Sequence, residues 1–208
     1  MPLQNRVDPF GALHAVPVRG LFTGNRGILH EPETRRLAGR RWTTRAWIVC
    51  TCDWKDRRRE VWGRNGPNGG AGWTELFFVD EVTALAAGHR PCFFCRRNDA
   101  RAFQSAFAAG NGLSSVSAPQ MDEKLHAERR LSARGAPVAL RPDDLPDAAM
   151  IEVDGDALVR RKGRWLRWTF DGYVETCEPN APAAVITPPS TMATLRAGYR
   201  PVWAHLRV

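Results

Sequence analysis

No stretch of the sequence approaches the roughly 18 uninterrupted apolar residues that a membrane-spanning helix needs, so a membrane protein is not expected. The opening residues "MPLQNRVDPFGALHAV" lack the charged start, apolar centre and small-residue cleavage site of a secretory signal, and a cytoplasmic location is expected. Lysine is scarce: Lys55, Lys124 and Lys162 are the only three, so the formal net charge of +8 rests almost wholly on arginine. Cysteine is also sparse, with five residues, an odd number that argues against a disulfide framework and for metal or thiol chemistry. What remains is an ordinary globular composition, 43% hydrophobic over 208 residues, enough to bury a substantial core.

The arginines fall in short patches. "RRLAGRRW" carries Arg35, Arg36, Arg40 and Arg41, "KDRRRE" carries Arg57 to Arg59, "CRRNDAR" carries Arg96, Arg97 and Arg101, and "VRRKGRWLRW" carries Arg160, Arg161, Arg164 and Arg167. Guanidinium forks match phosphate oxygens in pairs, and tryptophans beside them (Trp42, Trp47, Trp165, Trp168) can stack on bases, so DNA is the expected partner. The same composition also arises from a GC-rich coding sequence, and the same tryptophans serve equally as core residues.

Four regions follow from the patterning, together forming one compact unit. Residues 1–45 form an N-terminal region in which about residues 8–31 alternate apolar and polar side chains around "FTGNRG", where Gly24-Asn25 and Gly27 predict the turn of a β-hairpin. Residues 46–110 hold the strands "RAWIVCTCDW" and "TELFFVD", joined by the glycine-rich loop "GRNGPNGGAG". They also hold a helix capped by Asp80 and ended by Gly88, then a second beginning at Asp99 with Phe103 and Phe107 on one face. Residues 111–136 supply a linker and a third helix, "QMDEKLHAERRLSAR", with Met121 and Leu125 together and Leu131 off their stripe. Residues 137–208 return to β structure, with turn pairs at Asp154-Gly155, Lys162-Gly163 and Asp171-Gly172 predicting a meander. The fold class expected is therefore α+β, β-rich at both ends.

Near the end, "VITPPSTMATLRAGYRPV" aligns without gaps on "ELFFVDEVTALAAGHRPC", with Ser190 in the place of Asp80 and Leu195, Gly198, Arg200 and Pro201 in the places of Leu85, Gly88, Arg90 and Pro91. This predicts an internal repeat of strand, capped helix and Gly-x-Arg-Pro turn. Val202 replaces Cys92, so only the first copy can hold a metal through its turn.

Cys92 and Cys95 form a Cys-x-x-Cys turn that lets two thiolates converge on one ion, and Cys50 and Cys52 on the preceding strand are the available partners. A thioredoxin-type redox pair sits at a helix start after a strand, whereas this one follows a helix end and a proline. The run "WIVCTCDW" followed by "WTELFFVDEVTALAAGHRPCFFCRRND" resembles the metal-binding N-terminal domain of the bacterial Ada DNA-repair protein over about residues 46–100. In that family four cysteinates hold a zinc; the resemblance implies Cys50, Cys92 and Cys95 as zinc ligands, with Cys52 the available fourth, and Arg96 and Arg97 near a DNA backbone, with Arg90 and Arg101 as further candidate nucleic-acid-binding residues. It also implies methyl transfer from a phosphotriester to a zinc-bound cysteine as the family chemistry. The whole chain resembles, in addition, a family of uncharacterised bacterial proteins sharing the opening "VDPFGALHAVPVRGLFTGNRGILH", which implies no known activity.

One departure matters. The family separates its first two cysteines by three residues, and here Thr51 alone lies between them. Residues i and i+2 of an extended strand are about 6.5–7 Å apart, too far for two sulfurs each about 2.3 Å from one zinc unless the strand bends. Either it bends, or one cysteine ligates and His89, His30 or His14 completes the set; a structural ion is favoured over a methyl-accepting one. On the third helix, Asp122 and His126 are four apart and share a face that Arg130 continues, a candidate acid–base pair for hydrolysis in DNA. The alternative there is a solvated charged face over an apolar one. Cys177 reads as a small buried hydrophobe.

Overall fold

The computed structural model describes residues 1–55, 59–132, 144–180 and 183–204, residues 131 and 132 by their backbone alone. It has the α+β architecture expected, with one mixed sheet and one antiparallel sheet gathered around four described helices.

The larger sheet runs β2 (Leu13–His14), β1 (Arg6–Val7), β7 (Leu76–Phe78), β3 (Phe22–Asn25), β6 (Ile48–Thr51) and β8 (Arg90–Pro91) in spatial order. β3 is therefore a central strand, antiparallel to β6 on one side and β7 on the other, where the sequence predicts a hairpin turn. The glycine that suggested the turn has another use. A Cβ on Gly24 would lie 2.2 Å from the Ile48 carbonyl oxygen and 2.9 Å from the Phe78 ring, so the residue is small because neighbours press on it. Gly27, with φ of +95°, keeps the left-handed conformation read for it. β4 (His30–Glu31) and β5 (Arg36–Leu37) form a separate two-stranded ribbon.

Helix α1 (Glu81–Ala86) starts as the sequence predicts, with Asp80 Oδ1 accepting the Thr83 N–H at 2.8 Å. It ends in a Schellman pair: Gly88 N–H donates to the Leu85 carbonyl and His89 N–H to that of Ala84. α2 (Arg97–Gly110) begins two residues before Asp99 and buries Ala100, Phe103 and Phe107. α3 (Ala118–Ser132) buries Met121 and Leu125 completely; Leu131 and the "AR" that ends the predicted helix lie outside the residues whose side chains are described.

The C-terminal meander forms as read: β9 (Met150–Val153), β10 (Asp156–Arg161), β11 (Arg164–Thr169) and β12 (Gly172–Thr176) pair in succession, and β13 (Ala184–Val185) adds to β9. Its first two turns put both central residues at positive φ, Asp154-Gly155 at 51° and 86° and Lys162-Gly163 at 50° and 78°, the geometry of type I′ hairpins. α4 (Pro189–Arg196) repeats the end of α1, with Gly198 N–H on the Leu195 carbonyl and Tyr199 N–H on that of Thr194. Its start does not repeat. Pro188 is the capping residue, and Ser190 lies inside the first turn, where its N–H and hydroxyl donate to the Glu128 carboxylate.

The apolar interior has two parts. One joins α1, α2, α3 and α4 to the meander through Phe103, Phe107, Met121, Leu125, Val159 and Tyr173. The other lies under the mixed sheet around Val7, Leu29, Val49, Leu76 and Phe78. Asp80 and Glu81, at the start of α1, are fully buried where the two meet.

Candidate metal centre

β6 and β8 run parallel with Ile48 opposite Arg90 and Val49 opposite Pro91, and Cys92 N–H donates to the Val49 carbonyl at 3.0 Å. The next step of that register sets Cys50 beside Cys92. The turn that follows returns Cys95 to the same point, with Phe94 N–H donating to Cys92 Sγ at 3.4 Å and Arg96 N–H to the Cys92 carbonyl at 3.0 Å. The sulfurs of Cys50, Cys92 and Cys95 consequently all lie within 4.8 Å of one another. Three thiolates on one tetrahedral ion, each about 2.3 Å from it, stand about 3.8 Å apart, so a small adjustment encloses a metal.

The electrostatics of the cluster point the same way. Hydrogen bonds from Cys50 and Cys95 hold Cys92 as a thiolate, its pKa brought down to about 2, while those same bonds to Cys92 and Cys95, with burial, push the Cys50 thiol far up. Thiolates this close repel one another, and a divalent cation offsets that repulsion, since the metal-bound form of cysteine is the thiolate.

Cys52 does not join them. β6 ends at Thr51, and the exposed Cys52 turns its sulfur toward the carbonyls of Gly20 and Leu21, at 3.8 and 3.6 Å. The three histidines that were alternatives are also engaged elsewhere. His89 is buried between Trp47 and Phe78, its Nε2 accepting from Arg26 Nε at 3.2 Å; His30 bonds Thr74 and stacks on Trp62; His14 meets Asp8 at 2.7 Å. Among the described residues the cluster has three members.

The sulfurs lie on a cleft of about 690 Å³. Trp54, Trp73, Phe77 and Phe94 supply its aromatic surface, and Arg59, Glu75, Thr51 and Asn25 its polar one. Arg59 Nε donates to Glu75 Oε1 at 2.8 Å while its guanidinium lies 4.6 Å from the centre of the Trp73 ring. Of these residues the sequence marks only Arg59 for binding, as part of an arginine patch, and gives none of them as part of a cleft. The only signal for the cleft was the pair of tryptophans, Trp62 and Trp73, on either side of the glycine-rich loop.

The other residues singled out from sequence are dispersed. Arg90 is buried and donates through Nε and Nη2 to both carboxylate oxygens of Asp122, at 2.8 and 2.7 Å. Arg96 is buried against Glu81 and the Phe22 ring. Neither guanidinium is presented to a phosphate backbone. Arg97 and Arg101 are exposed on α2. Asp122 thus has its two oxygens on Arg90, and His126 lies instead edge-on to Trp42, with ring centres 5.4 Å apart. The two do not form an oriented acid–base pair, because a buried arginine holds the carboxylate first. Arg57 and Arg58 lie outside the described residues. Cys177, expected to be buried, is exposed.

Fold and site together define an α+β protein with a cluster of three cysteines, placed so that it could hold a metal ion, on the wall of an aromatic cleft. No family model, curated protein or solved structure matches the chain.

Proposed function

We propose that the protein binds one zinc ion through Cys50, Cys92 and Cys95 and presents its fourth coordination position to the cleft, so that the ion serves a ligand as well as the fold. The observation that carries this reading is the placement of three sulfurs within 4.8 Å of one another on the cleft wall, while Cys52, on the same wall, keeps its sulfur toward the Gly20 and Leu21 carbonyls and stays outside the cluster. Three soft thiolates suit zinc, and three protein ligands with one open position are the pattern of zinc sites that act on something, whereas closed four-ligand sites are structural. When bound, the ion supplies a Lewis acid and a positive point for a donor atom. The protein's part is to hold the three thiolates, line the approach with aromatic rings and limit access by water.

The test is cobalt substitution. The expected result is one equivalent of Co(II) with thiolate charge-transfer intensity for three sulfurs and a visible spectrum that moves when a small exogenous ligand such as imidazole is added. A spectrum for four thiolates that ignores added ligand, or protein that takes up no metal, refutes the reading.

A nucleic-acid partner is favoured by a separate observation. Arg45, Arg129 and Arg130 all depress the pKa of His126, after burial, and Arg41 and Arg129 help bring that of the buried Arg26 down to about 9. Arginines stand around Trp42 and His126, with Glu123 3.9 Å from Arg45, and polyanions are the partners that arginine clusters attract. On this reading DNA meets the Trp42 face; the buried Arg90 and Arg96 serve the fold, while Arg97 and Arg101 stay available to extend the contact.

A further inference from the structure

Three residues that line the cleft beside the three cysteines carry buried polar atoms without a partner among the described residues: Trp54 Nε1, Arg59 Nη2 and Thr51 Oγ1. Buried donors are ordinarily satisfied, so three together mark a place where something else supplies acceptors. Trp Nε1 and Arg Nη2 can only donate, and Asn25, whose Oδ1 already accepts the Gly27 N–H at 3.2 Å, has its amide N–H groups left to offer. The polar wall therefore asks for an edge made of acceptors. Each oxygen of Glu75 already accepts one hydrogen bond, from Arg59 Nε and from the Trp62 N–H.

The apolar wall fixes the shape. Trp54 and Phe94 stand with ring centres 5.7 Å apart, and Trp73 and Phe77 complete an aromatic lining that stacks on flat rings. Arg59 covers a face of Trp73, so the donor and a stacking surface belong to one rigid assembly. Charge fixes the rest. Three thiolates on a divalent ion leave one negative charge at the cleft wall, and Arg59 and Glu75 cancel each other, so an anionic group seated against the sulfurs is repelled while a neutral ring is not. A volume of about 690 Å³ lies in the range of small-molecule sites.

We infer that the cleft binds a nucleobase, a neutral planar heterocycle held by its acceptor edge, with one acceptor toward the metal position. Guanine (N7 and O6) and cytosine (N3 and O2) present two adjacent acceptors; adenine pairs each ring acceptor near its amino group with a donor, which Trp54 Nε1 and Arg59 Nη2 cannot receive. The base can come from a free nucleoside or from a nucleotide turned out of a strand, and the recognition is the same in both. This inference rests on the zinc reading above.

The experiment titrates zinc-loaded full-length protein, its metal content measured on the same sample, with guanosine, cytidine, adenosine, and a single-stranded oligonucleotide carrying one guanine among thymines. Heat of binding is the readout. Saturable binding of guanosine or cytidine, about tenfold or more tighter than adenosine, is expected, and Phe94→Ala should weaken it about tenfold. Phe94 is 64% exposed, so its truncation does not threaten the fold. Arg59→Lys retains a charge for Glu75 but loses the fork, and should remove the preference over adenosine. An oligonucleotide binding at least tenfold tighter than the nucleoside identifies a base within a strand as the ligand; equal or weaker binding identifies the free nucleoside. Zinc-loaded protein that binds none of these, or that takes adenosine as well as guanosine, overturns the inference and leaves the zinc reading standing. Protein that carries no metal overturns both.

Discussion

Nη2 of Arg96 lies 2.9 Å from a carboxylate oxygen of Glu81, and both side chains are shut off from solvent. Glu81 also accepts from the Tyr199 hydroxyl at 2.6 Å and the Val202 N–H at 2.9 Å, so one carboxylate joins the Cys-x-x-Cys turn to the second Gly-x-Arg-Pro segment. Removing one partner leaves a buried charge uncompensated. Arg96→Ala should cost about 3–5 kcal/mol in urea unfolding, whereas Arg97→Ala, on the exposed neighbour, should stay within about 0.5 kcal/mol. Equal effects at the two positions would contradict the buried role of Arg96.

The three-cysteine geometry separates the four thiols of this region. Cys92→Ser and Cys50→Ser should abolish stoichiometric zinc, measured by elemental analysis, and lower the melting temperature to that of chelator-treated protein, because binding energy of such an ion is folding energy. Cys52→Ser should keep the full equivalent of zinc and the wild-type melting temperature. Loss of metal in the Cys52 variant would restore the four-cysteine set implied by the Ada resemblance.

Burial pushes the pKa of His89 well below its ordinary 6.5, and Arg26 and Arg129 add to the effect. The folded protein keeps this ring neutral while the unfolded chain protonates it below about pH 6.5, so the unfolded state binds the extra proton. Stability should therefore fall as pH drops below that point, by up to about 1.36 kcal/mol per pH unit from this group alone. His89→Gln preserves an acceptor for Arg26 and cannot titrate, so its stability should decline less steeply between pH 6.5 and 5 than that of the wild type. Parallel declines would show that His89 is not the proton site.

Gly24 and Gly70 give a steric contrast. Gly24→Ala drives a methyl group into the Ile48 carbonyl at 2.2 Å and should destabilise by about 1–3 kcal/mol. Because Ile48 begins the strand that carries Cys50, zinc affinity should fall with it. Gly70→Ala meets nothing within 4 Å and should be neutral or slightly stabilising. Urea midpoints and zinc titration of the two variants check both statements.

If DNA meets the face around Trp42, the triple variant Arg41→Ala, Arg45→Ala, Arg130→Ala should reduce the dependence of log affinity on log salt by up to about 0.9 for each phosphate that an arginine no longer neutralises. Arg97→Ala with Arg101→Ala measures in the same assay how much α2 contributes. Binding that no salt concentration changes, or that the triple variant leaves untouched, would remove nucleic acid from the reading of this face.

What was legible in the sequence is what depends on neighbours in the chain. Asp80 as a cap, Gly88 and Gly198 as helix ends, and the Asp154-Gly155 and Lys162-Gly163 turns all answer to backbone angles within a few residues, and the structure has them. Gly24 was misread because its smallness serves the distant Ile48 and Phe78, while the local pattern suggested a turn. Arg90 and Arg96 were read as surface charge because Asp122 and Glu81, which neutralise them, stand 32 and 15 residues away. The cleft was hidden for the same reason: Arg59 and Glu75 meet only once the glycine-rich loop between them is closed.

The hydrogen bonds that bury Asp80 and Glu81 come from positions up to 124 residues further along, Ala204 N–H reaching Asp80 Oδ2 at 2.9 Å and Tyr199 reaching Glu81. During synthesis, then, the turn bearing Cys92 and Cys95 emerges long before the groups that satisfy the carboxylates beneath it. A nascent chain in which Asp80 has only its bonds from Thr83 and Glu81 only Arg96 is not yet native, and the full set of bonds must wait for residues 199–204. Contacts of such separation form slowly, which makes the cysteine turn accessible to metal during an interval when the remainder of its support is still missing.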